Sequence, residues 1–479
     1  MKTIKSLFAL VAVLLATVSC NKDFDESTQP QLEKHTCEMR LVGSLTGFES
    51  ETRAEASETA WKDGSVIYLR MESPMGITTG EAVYDATKDV WTISYYGSLY
   101  EGDGYHCSAL YVEDEVAYEN TLFTLDNGTA IYEDLDGSYV FEGGDLIVTA
   151  NLKPRTGRIR FTGDAGKVLK VYGITHYTTY DIGTNIYTTT TQPFKITVGE
   201  DGYTPYFYGY FTNEDAPNVK VWIDAKEAYT RFCSQNIFNA GQSGVMTIPT
   251  EDAHNGWADG LHFNINGAQF KMIAVEGGTF TMGDPNSTSE YYTAHKVTLT
   301  GYCIGETEIT KNLYERARNS SSQSMKPMYY TSTSFGSVKD ITTHFNIHLI
   351  NDIEKVNFDL LTEAQWEFAA KGGLKTKGYI YSGSNNIDDV AWSDSDVNHD
   401  VKTKLPNELG IYGMTGSTYY EIVKDHYAPY PSSNQIDPCV VATTGESHDE
   451  VIRGVGNNYK RTYNYSNYTT TRLALNWND

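Results

Sequence analysis

LTEAQWEFAAKGG, Leu361 to Gly373, is the stretch from which the carboxyl-terminal fold is read. Thr362 and Gln365 stand at capping-box spacing, where each side chain satisfies a backbone N–H left free at a helix start. Trp366, Ala369 and Ala370 share one helical face, and Gly372-Gly373 supplies a left-handed stop, so a helix is expected over Thr362 to Ala370. Working outward, short motifs follow in order: VEGGTFTMGD (Val275 to Asp284), HKVTLTGYCIGETEIT (His295 to Thr310), YSGSNNIDDVAW (Tyr381 to Trp392), LPNELGIYGMTGS (Leu405 to Ser417), VIRGVGNN (Val451 to Asn458) and TRLAL (Thr471 to Leu475). Their order and spacing carry more information than any one of them.

This series, from Met272 to Trp477, resembles the formylglycine-generating enzyme, or sulfatase-modifying factor, family. The resemblance implies an α+β, loop-rich, C-type-lectin-related domain over residues 263–479. Members that oxidise a substrate cysteine hold copper on a carboxyl-terminal cysteine pair, because thiolates are the soft ligands that favour Cu(I). Here the corresponding interval, between Arg453-Gly454 and Arg472, reads VGNNYKRTYNYSNYTTT and contains neither cysteine nor histidine. No copper and no catalytic residues are therefore expected. The family's Arg-Leu-Pro-Thr-Glu is Asp359-Leu360-Leu361-Thr362-Glu363, without the arginine and the proline. Its calcium-binding Asp-Met-x-Gly-Asn-Val-Trp-Glu segment becomes Gly413 to Glu421, with Ser417 in place of the asparagine. Calcium prefers six to eight hard oxygens. The resemblance offers Asn386, Asp388, Asp394, Asp396, Ser417 and Glu421 for a structural calcium, and the acidic stretch reads equally as a solvated loop.

Lys2 and Lys5 precede an apolar run from Leu7 to Val18 that is too short for a normal bilayer span, and Val18-Ser19-Cys20 ends it like a bacterial lipobox. Residues 1–19 are expected to be a cleaved signal peptide, with Cys20 the lipidated first residue of a tether over 20–36. Several acyl chains make such anchoring stable. Asn21 to Glu26 resembles the acidic export tag of Bacteroidetes surface lipoproteins, which implies the outer face of the outer membrane. The formal charge of −25 opposes binding to nucleic acid or anionic lipid surfaces.

From Cys37 to Pro249 the pattern is short alternating runs broken by Gly, Asn and Asp: Gly64 to Arg70, Val90 to Tyr96, Arg158 to Phe161, Lys167 to Ile174, Asn218 to Ile223 and Val245 to Ile248. Period-two alternation with turns at these intervals predicts tandem β-sandwiches, over residues 37–150 and 151–250. Thr52-Arg53-Ala54 with Trp61 to Ile67, and Leu152 to Phe161, resemble the openings of two sandwiches of fimbrillin-like surface proteins. The polar run Glu251 to Gly260 lacks a sustained period, and a linker is expected over 251–262. Five cysteines besides Cys20 are scattered without a CxxC pair, and an odd number leaves at least one unpaired within the chain.

These features together predict a surface lipoprotein, anchored in the outer membrane, whose carboxyl-terminal domain binds an extracellular glycan or protein. Tyr419, Tyr420, Tyr459, Tyr463, Asn464, Tyr465 and Tyr468 are the candidate contacts, since aromatic rings stack on sugars or peptides and amides orient them. Two other functions remain open: an enzyme of the family acting on a cysteine or another substrate, and a fimbrial accessory or tip subunit that contacts other fimbrial subunits.

Overall fold

The computed structural model describes residues 33–49, 61–113, 117–119, 121–126, 129–210, 218–233, 239–250, 254–330, 338–392, 398–416, 419–441, 449–463 and 468–479. Cys20, most of the expected tether and residues 251–253 of the expected linker lie outside them. The described chain is 48% strand and 10% helix.

Strict alternation builds the first β unit. Asp145–Pro154 places Leu146, Val148, Ala150 and Leu152 inward and every intervening residue outward. Seven strands pair in the order Lys34–Leu45, Val90–Tyr96, Gly76–Asp85, Val66–Ser73, Gly102–Val112, Ile131–Glu142 and Asp145–Pro154. The last strand returns to the first in a parallel pairing, from Met39 opposite Leu146 to Leu45 opposite Leu152. Hydrogen bonding is thus continuous round the unit, which closes as a barrel, a refinement of the expected sandwich. Closure leaves no free sheet edge.

The second unit packs a three-stranded sheet, centred on Gly157–Thr162, against a five-stranded one in the order Phe194–Thr197, Val168–Tyr172, Asn218–Ile223, Glu227–Phe232 and Ala258–Asp259. Ile159, Phe161, Val171, Val219 and Val221 fill the space between them. Asn218–Ile223 is buried on both faces, because its Trp222 packs with Leu261, Phe263 and Met272 of the following domain. The second half of the expected linker is consequently not a free tether. Trp257 is 5% exposed, and Ala258–Asp259 pairs with Glu227–Phe232.

The carboxyl-terminal domain is built on an antiparallel sheet ordered Leu261–Ile265, Ala268–Val275, Tyr302–Gly305, Leu473–Asn476 and Asp359–Leu360, with two smaller three-stranded sheets beside it. Its helix Glu363–Ala370 has the expected capping box: the Thr362 hydroxyl accepts from the Gln365 N–H (3.2 Å) and the Gln365 side chain accepts from the Thr362 N–H (3.0 Å). Gly372 follows at φ +86°, where a side chain would be strained. Helices Lys311–Ala317, Val338–His344 and Ile347–Glu354, which alternation and caps did not signal, pack on the far side of the main sheet. Among the described residues no helix is long and apolar enough to cross a membrane.

Candidate ligand-binding site

The strand Tyr302–Gly305 delivers Glu306-Thr307-Glu308 out of the main sheet, and Thr310 then caps the helix Lys311–Ala317 by accepting from the Leu313 N–H. The two glutamates meet different partners. Glu306 lies between Lys271 (2.8 Å) and Lys402. Glu308 is 6% exposed and pairs with no cation among the described residues. Its carboxyl group packs on Gly413, where a Cβ would fall 2.5 Å from Oε1 and where φ is +72°. That position needs glycine for space and for conformation. Burial pushes the Glu308 carboxyl up to about 7; Arg472 opposes this and Glu421 reinforces it.

Glu308 lines two clefts. One, with only about 40 Å³ of cavity, has Trp392, His399, Tyr412 and Tyr419 among its walls. The other, of about 540 Å³, is more polar and includes His262, Lys271, Glu306 and Asn312. The rings of the first cleft support one another. His399 stacks on Trp392 (5.1 Å) and meets Tyr419 edge-on (5.3 Å), and Tyr419 contacts Tyr329 (5.8 Å) and Tyr468 (5.9 Å). Both lysines in this wall are engaged within the chain: Lys402 with Glu306, and Lys404 with the Asp388 carbonyl (2.6 Å) and the Trp392 ring (4.5 Å).

Beneath the clefts, buried ion pairs hold the frame. Arg453 pairs with Glu367 (2.7 Å) and Glu363 (3.1 Å), and Arg461 reaches the same Glu363 (2.7 Å). Arg472 pairs with Glu421 (2.6 Å), whose other oxygen accepts from Arg472 Nε (2.7 Å) and the Trp366 indole (3.0 Å). For Glu367, burial acts to raise the carboxyl, but Lys371 and Arg453 outweigh it and hold the group low.

Several solved structures resemble the chain. Treponema denticola variable protein 1 is 21% identical, covers 45% of this chain and 98% of its own, and gives a TM-score of 0.37. A fimbrial protein of Bacteroides ovatus is 10% identical and covers 92% of this chain and 99% of its own (TM-score 0.23); a putative adhesin of the same organism is 11% identical and covers 43% and 82% (TM-score 0.22). A protein of Paenibacillus barcinonensis named chaperone protein LppX is 25% identical over 196 residues, 30% of this chain and 68% of its own. Residues 264–472 match the family model of the sulfatase-modifying factor enzyme 1-like domain. The carboxyl-terminal region is a sulfatase-modifying factor domain.

The thiols of this sulfatase-modifying factor domain do not fit a copper site. Cys303 is fully buried in the main sheet opposite Ala274 and Leu475, and burial drives its thiol far up. Cys439 is raised to about 12 by burial and then by Asp425. Thiolate, the ligand form, is disfavoured at both. The interval between Arg453 and Arg472 instead sends Arg461 inward to Glu363. All five described cysteines are free thiols.

Glu421, expected as a calcium ligand, has both its oxygens on Arg472, whose buried guanidinium the carboxylate neutralises. Asn386 caps the short helix Ile387–Val390, and its amide donates to Asp389 (3.0 Å). Asp388 is exposed, and its carbonyl, not its carboxylate, receives Lys404. Asp394, Asp396 and Ser417 lie outside the described residues. Among the described residues no three His, Cys, Asp or Glu side chains gather as a metal site.

The candidate tyrosines do not gather in one place. Tyr419 lines the first cleft and is itself buried, with Tyr329 and Tyr468 packed against its ring. Tyr463, 44% exposed, packs on Tyr427 (4.9 Å), which stacks on Tyr291 (5.3 Å). Tyr420 is half-buried in a strand opposite Thr469, and Tyr459 is half-buried with its carbonyl accepting from Arg453. Asn464 and Tyr465 lie outside the described residues. Sequence reasoning missed Glu308, Trp392, His399 and Tyr412. Glu308 shares the short polar run Glu306-Thr307-Glu308 between Ile304 and Ile309, which does not by itself tell the buried carboxyl from the paired one.

Proposed function

We propose that this chain is a surface adhesin or other ligand-binding lipoprotein whose sulfatase-modifying factor domain binds its target without catalysis. The observation that carries the reading is the make-up of the first cleft: aromatic walls from Trp392, Tyr412 and Tyr419 over a buried carboxyl at Glu308, the composition of a recognition pocket. The domain's only two thiols, Cys303 and Cys439, are both held in the protonated form, which supports the absence of cysteine oxidation. The lipobox at Cys20 supports anchoring by lipid, and the charge of −25 supports a target that is not a polyanion.

The test is direct binding of the full mature chain to host and microbial glycans and to matrix proteins, with Tyr412→Ala and Tyr468→Ala as site variants. Target binding that both variants weaken, together with intact cysteine in sulfatase-type peptides under oxygen and copper, is the expected result. An aldehyde product that depends on Cys303 or Cys439 would establish the oxidase instead. Cys20→Ser should move the protein out of the detergent phase.

A further inference from the structure

Glu308 is a buried carboxyl group lining an open cleft with no direct ion pair among the described residues. A buried carboxylate is expensive without close compensation, and the cation that acts on it, Arg472, is already bonded to Glu421. Of the charged groups around it, Arg472 is committed to Glu421 on the sheet side, and Lys402, which lines both clefts, is committed with Lys271 to Glu306. Lys404, in the first cleft, is held by the Asp388 carbonyl. His399 and Asp400 complete the charged or titratable lining of the first cleft.

We propose that this cleft is a socket for a basic side chain of a protein partner, a lysine or arginine whose cation closes on Glu308 between the aromatic walls. The proposal rests on the ligand-binding reading above and narrows it to one ligand chemistry. Three observations favour a cation over a neutral sugar. A sugar hydroxyl leaves the buried charge in place, whereas an ammonium or guanidinium neutralises it. The walls contributed by Tyr412 and Tyr419 offer ring electrons, which attract cations most strongly where water is excluded. A chain of charge −25 also draws basic partners toward it before contact.

The experiment titrates the full chain with Nα-acetylarginine amide, Nα-acetyllysine amide and the uncharged isostere Nα-acetylcitrulline amide, followed by tryptophan fluorescence and ligand-observed NMR. The two cations should bind and citrulline should bind at least tenfold more weakly. A carboxyl that titrates at about 7 is mostly protonated at pH 6 and mostly ionised at pH 8, so cation affinity should rise roughly tenfold over that interval. Glu308→Gln should weaken binding and flatten the pH dependence. Asp400→Asn, an exposed change at the same cleft, should weaken it two- to threefold and serves as the second variant if Glu308→Gln fails to fold. Equal binding of citrulline and arginine, or a pH dependence that survives in Glu308→Gln and so belongs to His399, overturns the proposal. Target binding by the full chain that ignores Glu308→Gln leaves the adhesin reading standing and removes the cationic socket; a glycan target that competes with no arginine probe does the same.

Discussion

The barrel and the sulfatase-modifying factor domain solve the same packing problem with opposite chemistry. The barrel core is Leu69, Met71, Ile93, Leu146, Val148 and Leu152, apolar side chains delivered by alternation. The carboxyl-terminal domain instead places Arg453, Arg472, Glu363, Glu367 and Glu421 at its centre, all nearly inaccessible. An apolar core tolerates exchange of one aliphatic for another, whereas a buried ion pair fixes partner and geometry at once. The first region is therefore specified by pattern, the second by identities.

The largest effect expected from this contrast is Arg453→Met. It leaves Glu363 and Glu367 short of a countercharge in a dry interior, which costs about 3–5 kcal/mol. Arg461 remains to Glu363 and Lys371 to Glu367, so the lower end of that range applies if they rearrange. Calorimetry should show the carboxyl-terminal transition falling while the barrel transition stays put. A common shift of both would mean that the two regions do not fold as separate units.

In the barrel the matching test is Leu152→Ala. The side chain is fully buried and the substitution leaves a cavity worth about 2–4 kcal/mol. Leu152→Met should lose less than about 1.5 kcal/mol, because volume is conserved. No conservative exchange of that kind exists for Arg453, and denaturant midpoints for the four proteins would place the two regions on one scale.

This difference explains what could be read in advance. Alternation in Val90–Tyr96 and the caps around Glu363–Ala370 are local signals, and both elements formed as expected. Lys220 misled in the opposite sense: in NVKVWI it occupies an outward position, yet it is buried against Phe263 and near Glu354 because another domain covers that face. Glu421 shows the same limit. The resemblance implied a calcium ligand there, and the pairing with Arg472, fifty-one residues downstream, leaves no local trace. Contacts between distant segments leave no periodic trace, so the motif order disclosed the domain while the cleft of Trp392, His399 and Glu308 stayed hidden.

A smaller effect should appear where the two kinds of packing meet. Lys170, from the second β unit, donates to the carbonyls of Asn476 (3.1 Å), Trp477 (3.3 Å) and Asp479 (2.6 Å). Lys170→Met keeps the stem but leaves those acceptors short, for a loss of about 1–2 kcal/mol. Burial, assisted by Lys195, holds the Lys170 ammonium down to about 8. The native state thus sheds this proton before the unfolded chain does, and stability should rise between about pH 8 and pH 10 in the parent but not in the variant. Urea midpoints across that range check it; parallel profiles would show that the lysine is not sequestered.

The smallest expected effect is also the most selective, because only one of the two regions should respond. Glu308 has its carboxyl raised by burial to about 7, against about 4.3 in an unfolded chain. A folded group that keeps its proton longer than the unfolded chain contributes stability that is complete below about pH 4 and is lost as pH rises through 7. Glu308→Gln carries a permanently neutral amide of similar shape. Parent and variant should match most closely near pH 4, where both carry a neutral group, and from pH 5 to pH 8 the variant should gain steadily on the parent. Among the described residues no carboxylate of the barrel is buried, and its transition should not move between the two proteins at any pH. Thermal unfolding of both at pH 5 and pH 8 decides the matter. If the variant fails to gain at pH 8, the Glu308 carboxylate has found compensation in the folded chain, and the contrast between an apolar barrel and a domain carrying an unneutralised buried charge would be smaller than the geometry indicates.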